Sequence, residues 1–195
     1  SRYGAMALSW TLDKLGPLCL TADDCGLVLN SIAGYDPNDP STTKRSYQYE
    51  ASDLSGQRFR LGVIKDVADG ADKEVQANFR ESLKVLGQVA SIDEVEMLEG
   101  FPSGEVTRTI LNAEAASAFE DFLETGRASE LTAPEDRYGG YARMSLLATD
   151  YIRALRLRGL MAREADLVMS RYDVLVAPSR ATVASALNEE RRSVV

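Results

Sequence analysis

Apolar positions recur along the chain with two alternating periods. Leu27, Val28 and Ile32 follow Thr21-Ala22-Asp23-Asp24. Thr21 can cap the free N–H groups of a helix start, and Asp23 and Asp24 suit the positive end of its dipole. Gly34 is a natural stop, so the pattern predicts a helix over 22–33. The turn formers of DPNDPST, from Asp36, then predict a polar loop over 36–57. Phe59 to Ile64 reads as a short strand, largely buried on one side. Asp72 stands where a second helix would be capped. Its apolar positions Val75, Phe79, Leu83 and Leu86, with Val89 as an extension, step by three and four. Ile92 to Met97 alternates as a strand does.

Pro102 and Ser103 open a third predicted helix, carrying Val106, Ile110, Leu111, Ala115, Ala118, Phe119 and Phe122 as far as Gly126. A charged, polar loop is expected over 127–140. A long helix is expected from Tyr141 to Arg171, with Leu146, Leu147, Tyr151, Ala154, Leu155, Leu157 and Leu160 on its apolar positions. Asp173 to Ala177 is an apolar strand stopped by Pro178. Residues 180–195 read as a divergent or frayed tail, charged from Asn188 to Arg192. Strand–helix–strand alternation of this length predicts an α/β fold, with a mixed, partly parallel sheet covered by helices on both faces. A parallel sheet needs covering on both sides, and three strands do not complete one. The 195 residues are therefore expected to form a single partial domain.

Composition narrows the chemistry. Hydrophobic residues make up 45% of the chain, enough for a core. Twenty-two Lys and Arg against 30 Asp and Glu leave a net charge of −8. Phosphate backbones repel such a chain, which argues against nucleic acid as a partner. Arg153, Arg156, Arg158 and Arg163 fit a solvated helix face. No apolar run reaches the roughly 20 residues that span a bilayer, so no membrane partner is expected. Two cysteines, Cys19 and Cys25, give no disulfide framework. They are expected in the core, and the protein in the cytoplasm. The chain has no histidine, which removes Ser-His-Asp triads, Cys-His pairs and histidine zinc sites. No metal or other cofactor is implied.

The remaining candidates are few. Neither a phosphate-binding glycine loop nor a G-x-S-x-G elbow occurs. Lys14 lies near Ser9, but its place before Gly16-Pro17 favours a solvated turn over a buried base. Trp10, the one tryptophan, is expected in the core or at a rim. Asn112 and Glu114 fall within a run of small apolar residues from Asn112 to Ala118. A carboxylate there is either hydrogen-bonded inside or faces a cleft. Asp150 and Tyr151 pose the same choice. These four are the candidate substrate-binding residues, and the structural reading is favoured for each pair.

Read together, several phrases resemble the amidase signature family. They are Ser1-Arg2-Tyr3-Gly4, Leu12-Asp13-Lys14-Leu15-Gly16-Pro17, the acidic helix start at Thr21 to Asp24 and the turn from Ala33 to Asp39. The stretches LSGQRFRLGVI, ILNAEAASAFEDF, ATDYIRALRLR and RYDVLVAPS continue the likeness in order as far as Ser179. The resemblance implies cleavage of a linear carboxamide to a carboxylate plus ammonia or an amine. It also implies a serine nucleophile, a bridging serine and a lysine base, with backbone N–H groups holding the oxyanion. That catalytic set precedes the S-R-Y-G phrase in the family. No catalytic residue is therefore expected in this chain, and the fragment alone is expected to be inactive. The sequence departs from the family at Leu20, where an arginine is usual, and after Arg180. The glutaminyl-tRNA-forming amidotransferase of the family shares S-R-Y-G, but its helix continues to R-F-D-G, which NAEAASAFEDFLETG lacks. A general amide hydrolase acting on a small molecule is the preferred reading. The alternatives are a non-catalytic binding module, the amidotransferase component, or an inactive product. Apolar surface left uncovered would favour a homodimer.

Overall fold

The computed structural model describes residues 1–50, 56–134 and 136–186. The stretch Asn188 to Arg192, the end of the expected tail, lies outside these residues, as do 51–55 of the expected loop. The elements in chain order are α1 (Ala22–Ile32), β1 (Phe59–Ile64), α2 (Lys73–Leu86), β2 (Ala90–Val95), α3 (Ser103–Ala118), α4 (Glu120–Glu124), α5 (Asp136–Gly139), α6 (Ala148–Met169) and β3 (Val174–Val176). Two compact units share them. The first draws on 1–50, 110–132 and 136–146, the second on 56–109, 133–134 and 147–186.

The second unit holds the sheet, in the order β2-β1-β3. Both pairings are parallel, so the mixed sheet expected from the sequence is wholly parallel among the described residues. Phe59 pairs with Ala90 and Ile64 with Val95, while Leu61 pairs with Val174. β1 is the central strand, and its Leu61 and Gly62 are buried. Arg60 and Asp173 close one end: the backbone N–H of Arg60 donates to Asp173 Oδ2 at 2.8 Å, and its guanidinium donates to Oδ1 at 3.1 Å. That pairing lowers the carboxyl pKa of Asp173 and raises that of Arg60.

Ala154, Met161 and Val168 are the buried residues of α6, seven apart on one stripe. Leu147 and Leu160, expected on that face, are exposed. The helix also starts later than its periodicity predicts. Tyr141–Ser145 forms a 3-10 turn, and Leu147 is extended, at φ −75° and ψ 138°, which ends that turn before α6 begins. In α2 the predicted stripe of Val75, Phe79, Leu83 and Leu86 is half-buried, and Val89 beyond it is exposed.

Asp72 stands at the N-cap of α2 but makes no side-chain cap bond. Its carboxylate instead accepts from the N–H of Val183 at 3.1 Å, and its own N–H donates to the Ala181 carbonyl at 2.8 Å. Asp72→Ala is therefore expected to leave the helix content unchanged and to cost about 1 kcal/mol. Hydrogen exchange checks this: the Val183 amide should lose protection while the amides of α2 keep theirs.

In the first unit Thr21 caps α1 as predicted, accepting from the Asp24 N–H at 3.1 Å. The buried face of α1 differs from the expected one: Leu27, Val28 and Ile32 are exposed, and Gly26 is buried. Tyr49 explains it. Its ring lies over Gly26, where a Cβ would collide with Cδ2 and Cε2 of the ring. Its hydroxyl donates to Asp23, and its N–H donates to Asn30 Oδ1 at 2.9 Å. The cysteines also correct the sequence reading: Cys19 is exposed and Cys25 half-buried. The segment 13–19 forms neither helix nor strand and runs at the surface, with the side chains of Leu18 and Leu20 wholly exposed.

The predicted third helix is kinked at Phe119, which sits at φ −116° and ψ 20° between α3 and α4. Bonds from Phe119 N–H to Ala115 O and from Leu123 N–H to Phe119 O carry across the kink. The stretch 127–140, read as loop, contains a 3-10 turn at Arg127–Glu130 and the single turn α5.

Candidate functional site

Three carboxylates organise the first unit. Glu114, on α3, is 4% exposed. Its Oε2 accepts from the Ser9 hydroxyl at 2.6 Å and the Thr11 N–H at 2.9 Å, and its Oε1 accepts from the Thr11 hydroxyl at 2.7 Å. Ser9 is wholly buried. Burying a carboxylate is tolerable only with donors of this kind around it. Of the two alternatives for a carboxylate in the small-residue run, the geometry is that of the hydrogen-bonded one. Asp13 works on the same loop: its Oδ2 accepts from the N–H groups of Leu8 and Ser9, at 2.8 and 3.0 Å.

Asp39 is the third, 6% exposed. Its Oδ2 accepts from the Arg2 N–H at 2.7 Å and lies 3.9 Å from the Arg2 Nε. Its Oδ1 accepts from the Ser41 hydroxyl at 2.6 Å and the Ser41 N–H at 2.9 Å. The Ser41 hydroxyl is the largest cause, followed by the two backbone donors, of an Asp39 pKa lowered to about 2. Asp36 is lowered too, first by the Ser1 hydroxyl that donates to it at 2.7 Å. A carboxyl held below its unfolded value of about 3.9 adds stability that is complete above that pH and vanishes as pH falls toward 2. Asp39→Asn is thus expected to melt below the parent at pH 6 and to approach it at pH 2. Thermal melts across that range check the convergence.

The sequence candidates divide two and two. Asn112 and Glu114 lie two positions apart on α3 in the first unit; Asp150 and Tyr151 open α6 in the second. Asp150 lies 3.5 Å from Arg153 Nη1, one turn on and exposed, a pairing of small energy. Lys14 is exposed, and its ammonium donates to the carbonyls of Leu12 and Asp13. Trp10 is half-exposed, its carbonyl accepting from the Arg2 guanidinium. Sequence reasoning passed over Asp13, Asp39 and Arg2 as individual residues. Their signal was present, since each sits in one of the phrases quoted above. Ser1 and Arg2 of the first phrase hold Asp36 and Asp39 of the turn. Asp13 of the second phrase and Glu114 of the helix hold the loop between the first two.

The Amidase family model matches residues 1–194. The chain belongs to the amidase family. An amidase of Pseudomonas putida is 33% identical over 193 residues, which are 96% of this chain and 41% of the relative. A glutamyl-tRNA(Gln) amidotransferase chain of Neisseria meningitidis serogroup C is 26% identical over 220 residues, taking in 100% of this chain and 46% of that relative. A solved chain from a vestigial complex, described with the origins of an s-triazine catabolic enzyme, superposes with a TM-score of 0.83. It has 24% identity over 97% of this chain and 41% of the other, a likeness that shows the fold. This amidase-family chain spans less than half the length of the curated relatives it matches.

Two of the concavities in the first unit differ in how they are walled. One, of about 610 Å³, is lined by two segments, one running from Arg2 to Leu15 and one from Asn38 to Pro40, with Trp10, Lys14 and Asp39 among its walls. The other, of about 370 Å³, is walled by three distant segments: Met6 and Leu8, then Ala115 to Leu131 around Phe119 and Leu123, then Asp136 to Arg143. Gly140 lets the third segment press on the second, since a Cβ there would come within 2.7 Å of Leu123 Cδ2. Arg137 steadies the join by donating from Nε to the Leu131 carbonyl at 2.8 Å. Among the described residues, no group of three acidic or cysteine side chains could hold a metal ion, and no helix is long and apolar enough to cross a membrane.

Proposed function

We propose that the protein hydrolyses a linear carboxamide of a small molecule to the carboxylate and ammonia or an amine, and that it works in the cytoplasm. The match of the Amidase family over residues 1–194 carries this reading. The 33% identity to an amidase, and the hydrogen bonds by which Asp39 joins the turn to the first phrase and Asp13 and Glu114 hold the loop after it, support it. The chemistry needs an activated hydroxyl and a preorganised oxyanion site. We assign those to the serine, bridging serine and lysine implied by the family, outside this chain, and give this chain a supporting and substrate-contacting part. Asn112, Asp150 and Tyr151 remain candidate contacts, and Glu114 a positioning residue.

The deciding experiment measures ammonia release from aliphatic and aryl amides, by this chain alone and with the preceding half of a family member supplied. Silence alone and turnover together is the expected pair. Turnover by the chain alone overturns the assignment of the nucleophile. Silence in both supports a non-catalytic module. Full coverage by the amidotransferase relative favours one second reading, transamidation on a charged tRNA. The net charge of −8 and the absence of R-F-D-G weigh against it. Retention of tRNA by the reconstituted protein at low salt would reverse that preference.

A further inference from the structure

We infer that the 370 Å³ pocket of the first unit is a recognition site for a single-ring primary carboxamide, an inference that rests on the amidase reading and names its substrate class. The volume lies near the lower end of ligand pockets, which suits one ring with a short polar arm and not a long acyl chain. Its walls match a ring. Phe119 offers an aromatic ring, Met6 a thioether, and Leu8, Leu123 and Leu131 aliphatic surface, while the Phe122 ring also carries the Arg127 guanidinium 5.8 Å from its centroid.

The polar groups select the head. Among the described residues, two charged side chains line the pocket, Asp136 and Arg143. Among the described residues neither forms an ion pair, with the other or with a third residue. A primary amide presents one acceptor oxygen and one donor NH₂. A guanidinium can donate to the first and a carboxylate can accept from the second. A carboxylate ligand would satisfy Arg143 and be repelled by Asp136. An apolar molecule without a head would leave both charges in a partly dried site. The amide, which is the substrate of hydrolysis, therefore fits better than the acid, which is its product, and this difference favours product release.

The wall containing Met6 and Leu8 is fixed by carboxylates outside the pocket. Asp13 holds the Leu8 N–H, and Glu114, one residue before the lining Ala115, holds Ser9. The pocket thus has a rigid frame and two available charges at its edge.

The test is a titration of the isotope-labelled chain with phenylacetamide, phenylacetate and acetamide, followed by backbone amide NMR signals. Phenylacetamide should move the signals of Phe119, Leu123, Ala128 and Gly140 saturably. Acetamide at the same concentrations should move none of them. Phenylacetate should bind about fivefold more weakly than the amide, the effect of one exposed charge pair. Asp136→Asn should erase that preference, and Arg143→Gln should weaken both ligands. Both substitutions are at exposed positions, so the fold should survive them. Leu131→Trp should fill the pocket and abolish the shifts; if it does not fold, Phe122→Ala should weaken binding instead. Signals that do not move, that move elsewhere, or that ignore both charge variants overturn the proposal. Failure here is separable from failure of the hydrolase reading: binding without turnover in the reconstituted protein sinks only the latter, and turnover without these shifts sinks only the former.

Discussion

Glu114→Ala should be the most damaging single change in the first unit. It removes one acceptor group and leaves the Ser9 hydroxyl, the Thr11 N–H and the Thr11 hydroxyl to find others. Ser9 has no access to water, so its hydroxyl has nowhere to turn. Hydrogen bonds to a charged group contribute about 1.5–3 kcal/mol each, and buried groups left unsatisfied cost a similar amount. A cavity adds to this. The expected loss is about 4 kcal/mol, which for a chain of 195 residues lowers the melting temperature by roughly 8–16 °C. Glu114→Gln should lose about half as much, because the amide oxygen still accepts and its NH₂ can meet a hydroxyl oxygen. Calorimetry of the two variants separates the roles. A melting temperature within about 2 °C of the parent for Glu114→Ala would mean the carboxylate does not hold the loop.

The second large effect lies in the sheet. Gly62 is buried in the central strand between Asp93 on one side and Leu175 on the other. A Cβ there would meet Leu175 Cδ2 at 2.6 Å, and Tyr172 Cδ2 and Val95 Cγ1 at 3.2 Å. The first distance is too short to hold, and all three neighbours are packed side chains. Gly62→Ala should cost about 2 kcal/mol through overpacking, and Gly62→Val about 4. The loss should fall on β3 first, because that strand has three residues and one partner. Urea unfolding followed at Tyr172 checks this. An alanine variant as stable as the parent would show that Leu175 can turn away at no cost.

What the chain reveals about itself follows from the reach of each interaction. The start of α1 was readable because Thr21 caps a residue three positions away. β1 and β3 were readable because their apolar runs are short and bounded, while alternation placed β2 at 92–97, two residues later than the observed Ala90–Val95. Asp72 was misleading because it looks like a cap, while its partners lie more than 100 residues further on. Glu114 left two readings open for the same reason: Ser9 is 105 residues distant and nothing local to α3 names it. The kink at Phe119 carries no proline or glycine, so periodicity runs through it unbroken. The surface course of Cys19 was hidden because cysteine is usually buried, and only the neighbouring irregular backbone places it outside. Family phrases marked Arg2, Asp13 and Asp39 as a set without saying that Arg2 and Asp39 touch.

The pairing of Arg60 with Asp173 spans 113 residues. A ribosome adding 5–20 residues per second makes Arg60 roughly 6–23 s before Asp173. Through that interval β1 and β2 can pair, but the other side of β1 stays open to any extended segment nearby. The nascent chain therefore passes through a window in which its central strand is an edge. Faster elongation through α6, or a chaperone that shields the strand, should raise the yield of folded protein without altering its final stability.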